Sequence, residues 1–163
     1  MNLLGQIASD LNLMLRRPAR MQYAALCYRL NNTSAPEFLL ITSRDTGRWV
    51  IPKGWPMKRK SAHEVAAREA FEEAGVKGRC QIAPLGHYFY RKRMDGGFNI
   101  SCRVQIHALE VVQCCANFPE KGQRRLAWFD YREAARRVVE PSLRDQMLRF
   151  GQACASRLLI SRK

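Results

Sequence analysis

The chain has no Cys-x-x-Cys pair, no internal repeat, no low-complexity stretch and no apolar run near membrane-span length. Each absence removes a class of protein. A helix crossing a bilayer needs about 20 consecutive apolar residues. The six cysteines, Cys27, Cys80, Cys102, Cys114, Cys115 and Cys154, do not follow a zinc pattern. With no charged-then-apolar start of the secretory type, free thiols and a cytoplasmic location are expected. Acidic residues are also few: 14 Asp and Glu stand against 28 Lys and Arg, a formal net charge of +14. Such an excess concentrates anions near the surface. Polyphosphorylated small molecules and nucleic acids both suit it.

The acid that is present gathers in one place. Residues 68 to 76 read Arg-Glu-Ala-Phe-Glu-Glu-Ala-Gly-Val. Glu69, Glu72 and Glu73 stand at i, i+3 and i+4, within roughly a 100° arc of a helix. Carboxylates that close repel unless a cation lies between them. Hard oxygen ligands on a rigid element suit Mg²⁺ or Mn²⁺, with water and substrate phosphates completing the shell. Ala67, Ala70, Phe71 and Ala74 give the same helix an apolar side. Ser61 and Glu64 form a capping box at its start, and Gly75 is a natural stop. Arg68 has Glu64 and Glu72 at helical spacing to brace it. Taken alone, the run reads as a solvated amphipathic helix with charged pairs; the residues upstream change that reading.

From Gly54 the chain reads GWPMKRKSAHEVAAREAFEEAGV. This resembles the Nudix box, G-x5-E-x7-R-E-U-x-E-E-x-G-U, with U a bulky apolar residue. Gly54, Arg68, Glu69, Glu72, Glu73, Gly75 and Val76 fall at the required spacing. Two positions depart: Ala70 is merely small, and Lys60 stands where the box has its first glutamate. We expect Glu64 to take over the bracing of Arg68, and Lys60 to face anionic substrate. Residues 22–29, 39–44, 48–54 and 121–129 look like the diphosphoinositol polyphosphate phosphohydrolase branch. The resemblance runs from about residue 21 to 150.

The resemblance implies an α/β fold, a Nudix-type α/β/α sandwich with a mixed central sheet. Apolar runs mark strands over 23–30, 37–42, 49–51, 81–91, 98–112 and 126–129, and helices are expected over 131–139 and 142–159. Residues 1–20 are expected to form an N-terminal amphipathic extension and 21–163 the Nudix domain. Leu4, Ile7, Leu11, Met14 and Leu15 of that extension would pack on the domain or on a partner subunit, which leaves a homodimer open.

By the same resemblance, Glu69, Glu72, Glu73 and the carbonyl of Lys53 are the candidate metal ligands, with Arg68 in support. A further glutamate can act as base; Glu120, Glu110 and Glu133 are the candidates. Cations should grip the phosphates: Lys53, Lys58, Arg59 and Lys60 around the box loop, Arg91, Lys92 and Arg93 near the hairpin, and Lys121, Arg124 and Arg125 before the last strand. The implied activity is metal-dependent cleavage of phosphoanhydrides in diphosphoinositol or dinucleoside polyphosphates. Two alternatives stand beside it. One is a nucleoside triphosphate pyrophosphohydrolase that removes damaged nucleotides. The other is a catalytically weakened RNA-binding module, which the clustered carboxylates disfavour.

Overall fold

A computed structural model of the protein describes residues 18–31 and 35–160. The expected N-terminal helix over residues 3–15 lies outside them. The elements run β1 (Arg20–Leu30), β2 (Pro36–Thr42), β3 (Trp49–Val50), β4 (Lys53–Gly54), α1 (Ala62–Ala74), β5 (Val76–Cys80), β6 (Gly86–Arg93), β7 (Asn99–Cys114), β8 (Leu126–Asp130), α2 (Tyr131–Arg137) and α3 (Pro141–Ile160).

Ala24, Ala25, Leu26 and Cys27 of β1 are all fully buried, so both faces of that strand are covered. β1 runs parallel to β7 along Arg20–Tyr28 and antiparallel to β2 and β4. β2 also holds β3 and β8. β5 and β6 lie one after the other along the far edge of β7. One parallel pair among antiparallel ones makes the sheet mixed. Alternate residues then serve two cores. Ala24, Leu26, Phe38, Leu40, Tyr88, Val104 and Ile106 pack under α2 and α3 with Leu143 and Met147. Ala25, Cys27, Leu39, Ile41 and Leu109 pack under α1 against Ala66, Ala70 and Ala74. The result is the α/β/α sandwich that the sequence implied.

Two expectations need correction. The strand expected over 81–91 begins only at Gly86, after a break over residues 81–85, and runs on to Arg93. Pro84 lies in the break and has no N–H to give the ladder; Gln81 and Leu85 still donate to Ala108 and Ile106 of β7, at 2.8 Å each. Glu64 does not brace Arg68. It accepts from the backbone N–H and the hydroxyl of Ser61, both at 2.7 Å, and so closes the capping box. Gly75 ends α1 with φ 67°, the left-handed conformation that favours glycine.

Candidate active site

β4 delivers the chain to α1 and lies between two functional surfaces. On the α1 side, the backbone N–H of Lys53 donates to Glu73 Oε2 at 2.9 Å. Gly54 faces Glu69 directly: a Cβ at this position would stand 1.9 Å from Glu69 Oε1. Glycine is therefore required here so that the carboxylate can approach the backbone. A loop completes the cluster from the other side. The N–H of Glu120 donates to the Glu72 carbonyl at 3.0 Å, which fixes Glu120 at the end of α1.

Arg124 locks this arrangement. Its side chain is only 7% exposed and pairs with Glu73. It also donates to Glu120 Oε2 at 2.9 Å and to the Thr42 carbonyl at 3.1 Å. Burial pushes the Glu69 carboxyl up to about 7, helped by the negative charges of Glu73, Glu72 and Glu120. Burial also raises Glu73, against the pull of Arg124 and Lys53. Four carboxylates thus share a small volume with one buried guanidinium, and negative charge is in excess.

On the opposite side of the sheet, the Lys53 side chain points away from this cluster. Its ammonium lies 5.2 Å from the centre of the Tyr90 ring. The Arg48 guanidinium lies 5.9 Å from the same ring and forms an ion pair with Glu140 at 2.9 Å. Tyr90 donates to Gln22 Oε1 at 2.6 Å. Next to them, Arg20 and Lys92 sit 4.7 and 5.0 Å from the Trp55 ring. Cations within this distance are drawn to the ring face. Burial depresses the Lys53 ammonium, against Glu73 and Glu140. We call this cationic, aromatic-lined surface the groove; it lies across β4 from the carboxylates, close enough for Glu73 to act on Lys53.

The NUDIX domain model matches residues 20–150, most of the chain. The chain belongs to the NUDIX domain family. It is 35% identical over 103 residues to Nudix hydrolase 13, mitochondrial, of Arabidopsis thaliana, covering 60% of this chain and 51% of that protein. It is 42% identical over 118 residues to diphosphoinositol polyphosphate phosphohydrolase 3-beta of Bos taurus, covering 68% of this chain and 64% of that one. The chain thus spans between about half and two-thirds of the length of these curated relatives. The crystal structure of the C. elegans Ap4A hydrolase superposes with a TM-score of 0.57 at 19% identity, covering 83% of this chain and 98% of that one. That likeness is one of fold.

With the Nudix frame in place, the expected site residues divide into groups. Glu69, Glu72 and Glu73 do share one side of α1. Glu72 carries Arg68 as its ion-pair partner. Of the three further glutamates, Glu120 stands at the cluster. Glu110 pairs with Arg79 and Glu133 with Arg136 and Arg137, away from it.

The cations are redistributed more strongly. Arg124, expected to contact substrate, is a buried clamp on Glu73 and Glu120 instead. Arg91 and Arg93 are exposed and lie on the opposite face of β6 from Tyr88, Tyr90 and Lys92. It is Lys92 that joins the groove. Lys58, Arg59 and Lys60 are exposed in the loop before α1. Lys60 lines an open pocket with Glu64, Ala67, Arg68, Phe71, Lys77 and Gly78. That pocket holds none of Arg20, Arg48, Lys53 and Lys92. Arg20, Gln22, Arg48, Tyr90 and Glu140 were missed. The two-residue period of β6, once Tyr88 is taken as core, would have separated Lys92 from its arginine neighbours.

His63, His87 and His107 form a network of their own. His107 meets Gln105 at 2.9 Å and the Gln81 carbonyl at 2.9 Å, and Gln105 meets His87 at 3.3 Å. Its ring centre is 6.3 Å from that of His63. The network lies outside the carboxylate cluster.

Proposed function

We propose that this Nudix protein is a metal-dependent hydrolase that cleaves a phosphoanhydride bond in a polyphosphorylated substrate of the diphosphoinositol or dinucleoside polyphosphate class. The observation that carries this reading is the crowding at Glu69. A half-buried carboxyl, raised to about 7 by burial and then by three other carboxylates, lies across β4 from Arg48, Lys53 and Lys92.

Among the described residues, no three His, Cys, Asp or Glu side chains already converge as a metal site. Arg68 holds Glu72, and Arg124 holds Glu73 and Glu120, in the protein alone. The donor set nevertheless fits Mg²⁺ or Mn²⁺. All its donors are hard oxygens, negative charge is uncompensated at Glu69, and Gly54 leaves that carboxylate room. Glu69, Glu72, Glu73 and the Lys53 carbonyl would hold the ion. When bound, it would polarise phosphoryl oxygens and lower the pKa of bound water.

The protein's own residues supply the rest. Arg48, Lys53 and Lys92 orient the phosphate chain and neutralise part of its charge. Glu69 serves either as a third ligand to that ion or as the group that orients the attacking water. Glu120 stands near enough to share that role. Arg124 fixes Glu73 and Glu120 relative to each other, so the cluster keeps its shape. In this reading the protein works in the cytoplasm, where its free thiols would stay reduced.

The test is a product screen with Mg²⁺ or Mn²⁺ over dinucleoside polyphosphates, diphosphoinositol polyphosphates and nucleoside triphosphates. Turnover of either of the first two classes supports the reading. Exclusive turnover of one nucleoside triphosphate would favour a damaged-nucleotide pyrophosphohydrolase. Steeply salt-dependent RNA binding with no turnover of any substrate would favour a binding module.

A further inference from the structure

Glu140 is 7% exposed and stands between α2 and α3, far in sequence from the box. One of its carboxylate oxygens forms an ion pair with Arg48 at 2.9 Å. The other, Oε2, is buried and has no hydrogen-bond partner among the described residues. A half-satisfied buried carboxylate is costly, so its retention calls for a reason. Its surroundings supply one. Arg48 and Lys53 both approach the Tyr90 ring, at 5.9 and 5.2 Å, and the Lys53 ammonium feels the Glu140 charge. Two cations brought this close repel each other. Glu140 offsets this repulsion from behind the pair, and Glu73 also draws on Lys53.

We propose that Glu140 is a positioning residue that holds Arg48 and Lys53 together as a two-cation grip on the substrate's phosphate chain. The proposal rests on the polyphosphate reading above. Glu140 does not touch substrate, because its free oxygen is sealed from solvent. It acts through the two cations in front of it. Gln22 and Tyr90 form the floor on which they lie, and Lys92 and Arg20 extend the positive surface outward along Trp55.

This role makes a prediction opposite in sign to simple electrostatics. Removing a negative charge from a cationic groove should strengthen polyanion binding if charge alone matters. If Glu140 positions the cations, removal weakens it. The probe is inorganic tripolyphosphate, titrated calorimetrically into the full chain with chelator present, so that no turnover occurs. Glu140→Gln is expected to bind it about tenfold more weakly, and Arg48→Gln by a similar factor. In the double variant the two losses should not add, since both break one unit.

Unchanged or tighter binding by Glu140→Gln overturns the proposal. So does absence of binding by the unaltered protein. Should Glu140→Gln fail to fold, Arg48→Gln decides alone, because Arg48 is a third exposed; unchanged binding there also overturns it. Glu69→Gln separates the two readings. It should bind tripolyphosphate normally yet turn over no substrate. If the unaltered protein binds tripolyphosphate but hydrolyses nothing, the hydrolase reading fails while the grip stands.

Discussion

The guanidinium of Arg124 closes on the carboxylate of Glu73, 51 residues earlier in the chain, and both side chains are more than nine-tenths buried. This pair ties the loop before β8 to the box helix. Its partners also include Glu120 and the Thr42 carbonyl, so one side chain organises three elements. Breaking one side of such a pair leaves an uncompensated buried charge. Arg124→Met should therefore lower the unfolding free energy by about 3–5 kcal/mol, read from urea denaturation. A change well below that would mean that Glu73 finds another partner.

Gly54 makes a sharper distinction between stability and activity. The atom that an added Cβ would strike is the far end of Glu69, which can swing aside. Gly54→Ala should thus cost little in denaturant midpoint. Displacing the carboxylate by an ångström or more should still cut turnover about 100-fold, read as the ratio of kcat/KM values. Full activity with normal stability would show that Glu69 need not lie against the β4 backbone.

Lys60 and Lys53 should separate in the same way. Lys60 shares its pocket with Arg68 and Lys77, whereas the Lys53 ammonium lies in the groove. Lys53→Met should raise KM about tenfold, the size expected for a lost charge-assisted contact. Lys60→Glu should change KM by less than about twofold, because no groove cation is near it. Equal effects would place the phosphates over the box loop instead.

The histidine network makes the fold sensitive to mild acid. Burial pushes the His107 imidazole below its usual 6.5, aided by nearby His63 and His87, while its bond to the Gln81 carbonyl pulls the other way. The unfolded chain therefore takes up this proton at a higher pH than the folded one. Its contribution to stability is whole above about pH 6.5 and is lost as pH falls toward the folded value. In metal-free buffer, His107→Gln should show a smaller loss of urea midpoint between about pH 7.5 and 5.5 than the unaltered protein. Identical slopes would remove His107 as the cause.

Much of the carboxylate side was legible from the chain. The spacing of Glu69, Glu72 and Glu73 set one helix face, Ser61 and Gly75 marked its ends, and the apolar runs of β1 and β2 marked two strands. These are local signals, carried by residues within a turn or a pleat of one another. β5 was invisible for the converse reason. Val76–Cys80 contains Lys77, Gly78 and Arg79 and becomes a strand only because β7 pairs with it. The groove was hidden on the same ground. Arg20, Arg48, Tyr90 and Glu140 meet only once β1, the β2–β3 loop, β6 and the α2–α3 link are assembled. Arg124 misled because a basic residue in a loop reads as surface. Its burial follows from the acidic partners that only the fold brings to it.

The central claim is that the crowded carboxylates on α1 do the chemistry while the groove behind β4 holds the phosphates. Glu69→Gln tests it most directly. Product formation from a dinucleoside polyphosphate and from a diphosphoinositol polyphosphate should be followed by anion-exchange chromatography, with Mn²⁺ or Mg²⁺ present and then chelated. We expect turnover of at least one of them, its loss on chelation, and a fall of about 100-fold or more in the variant with tripolyphosphate binding intact. Metal-independent turnover, or a variant as active as the unaltered protein, would contradict it.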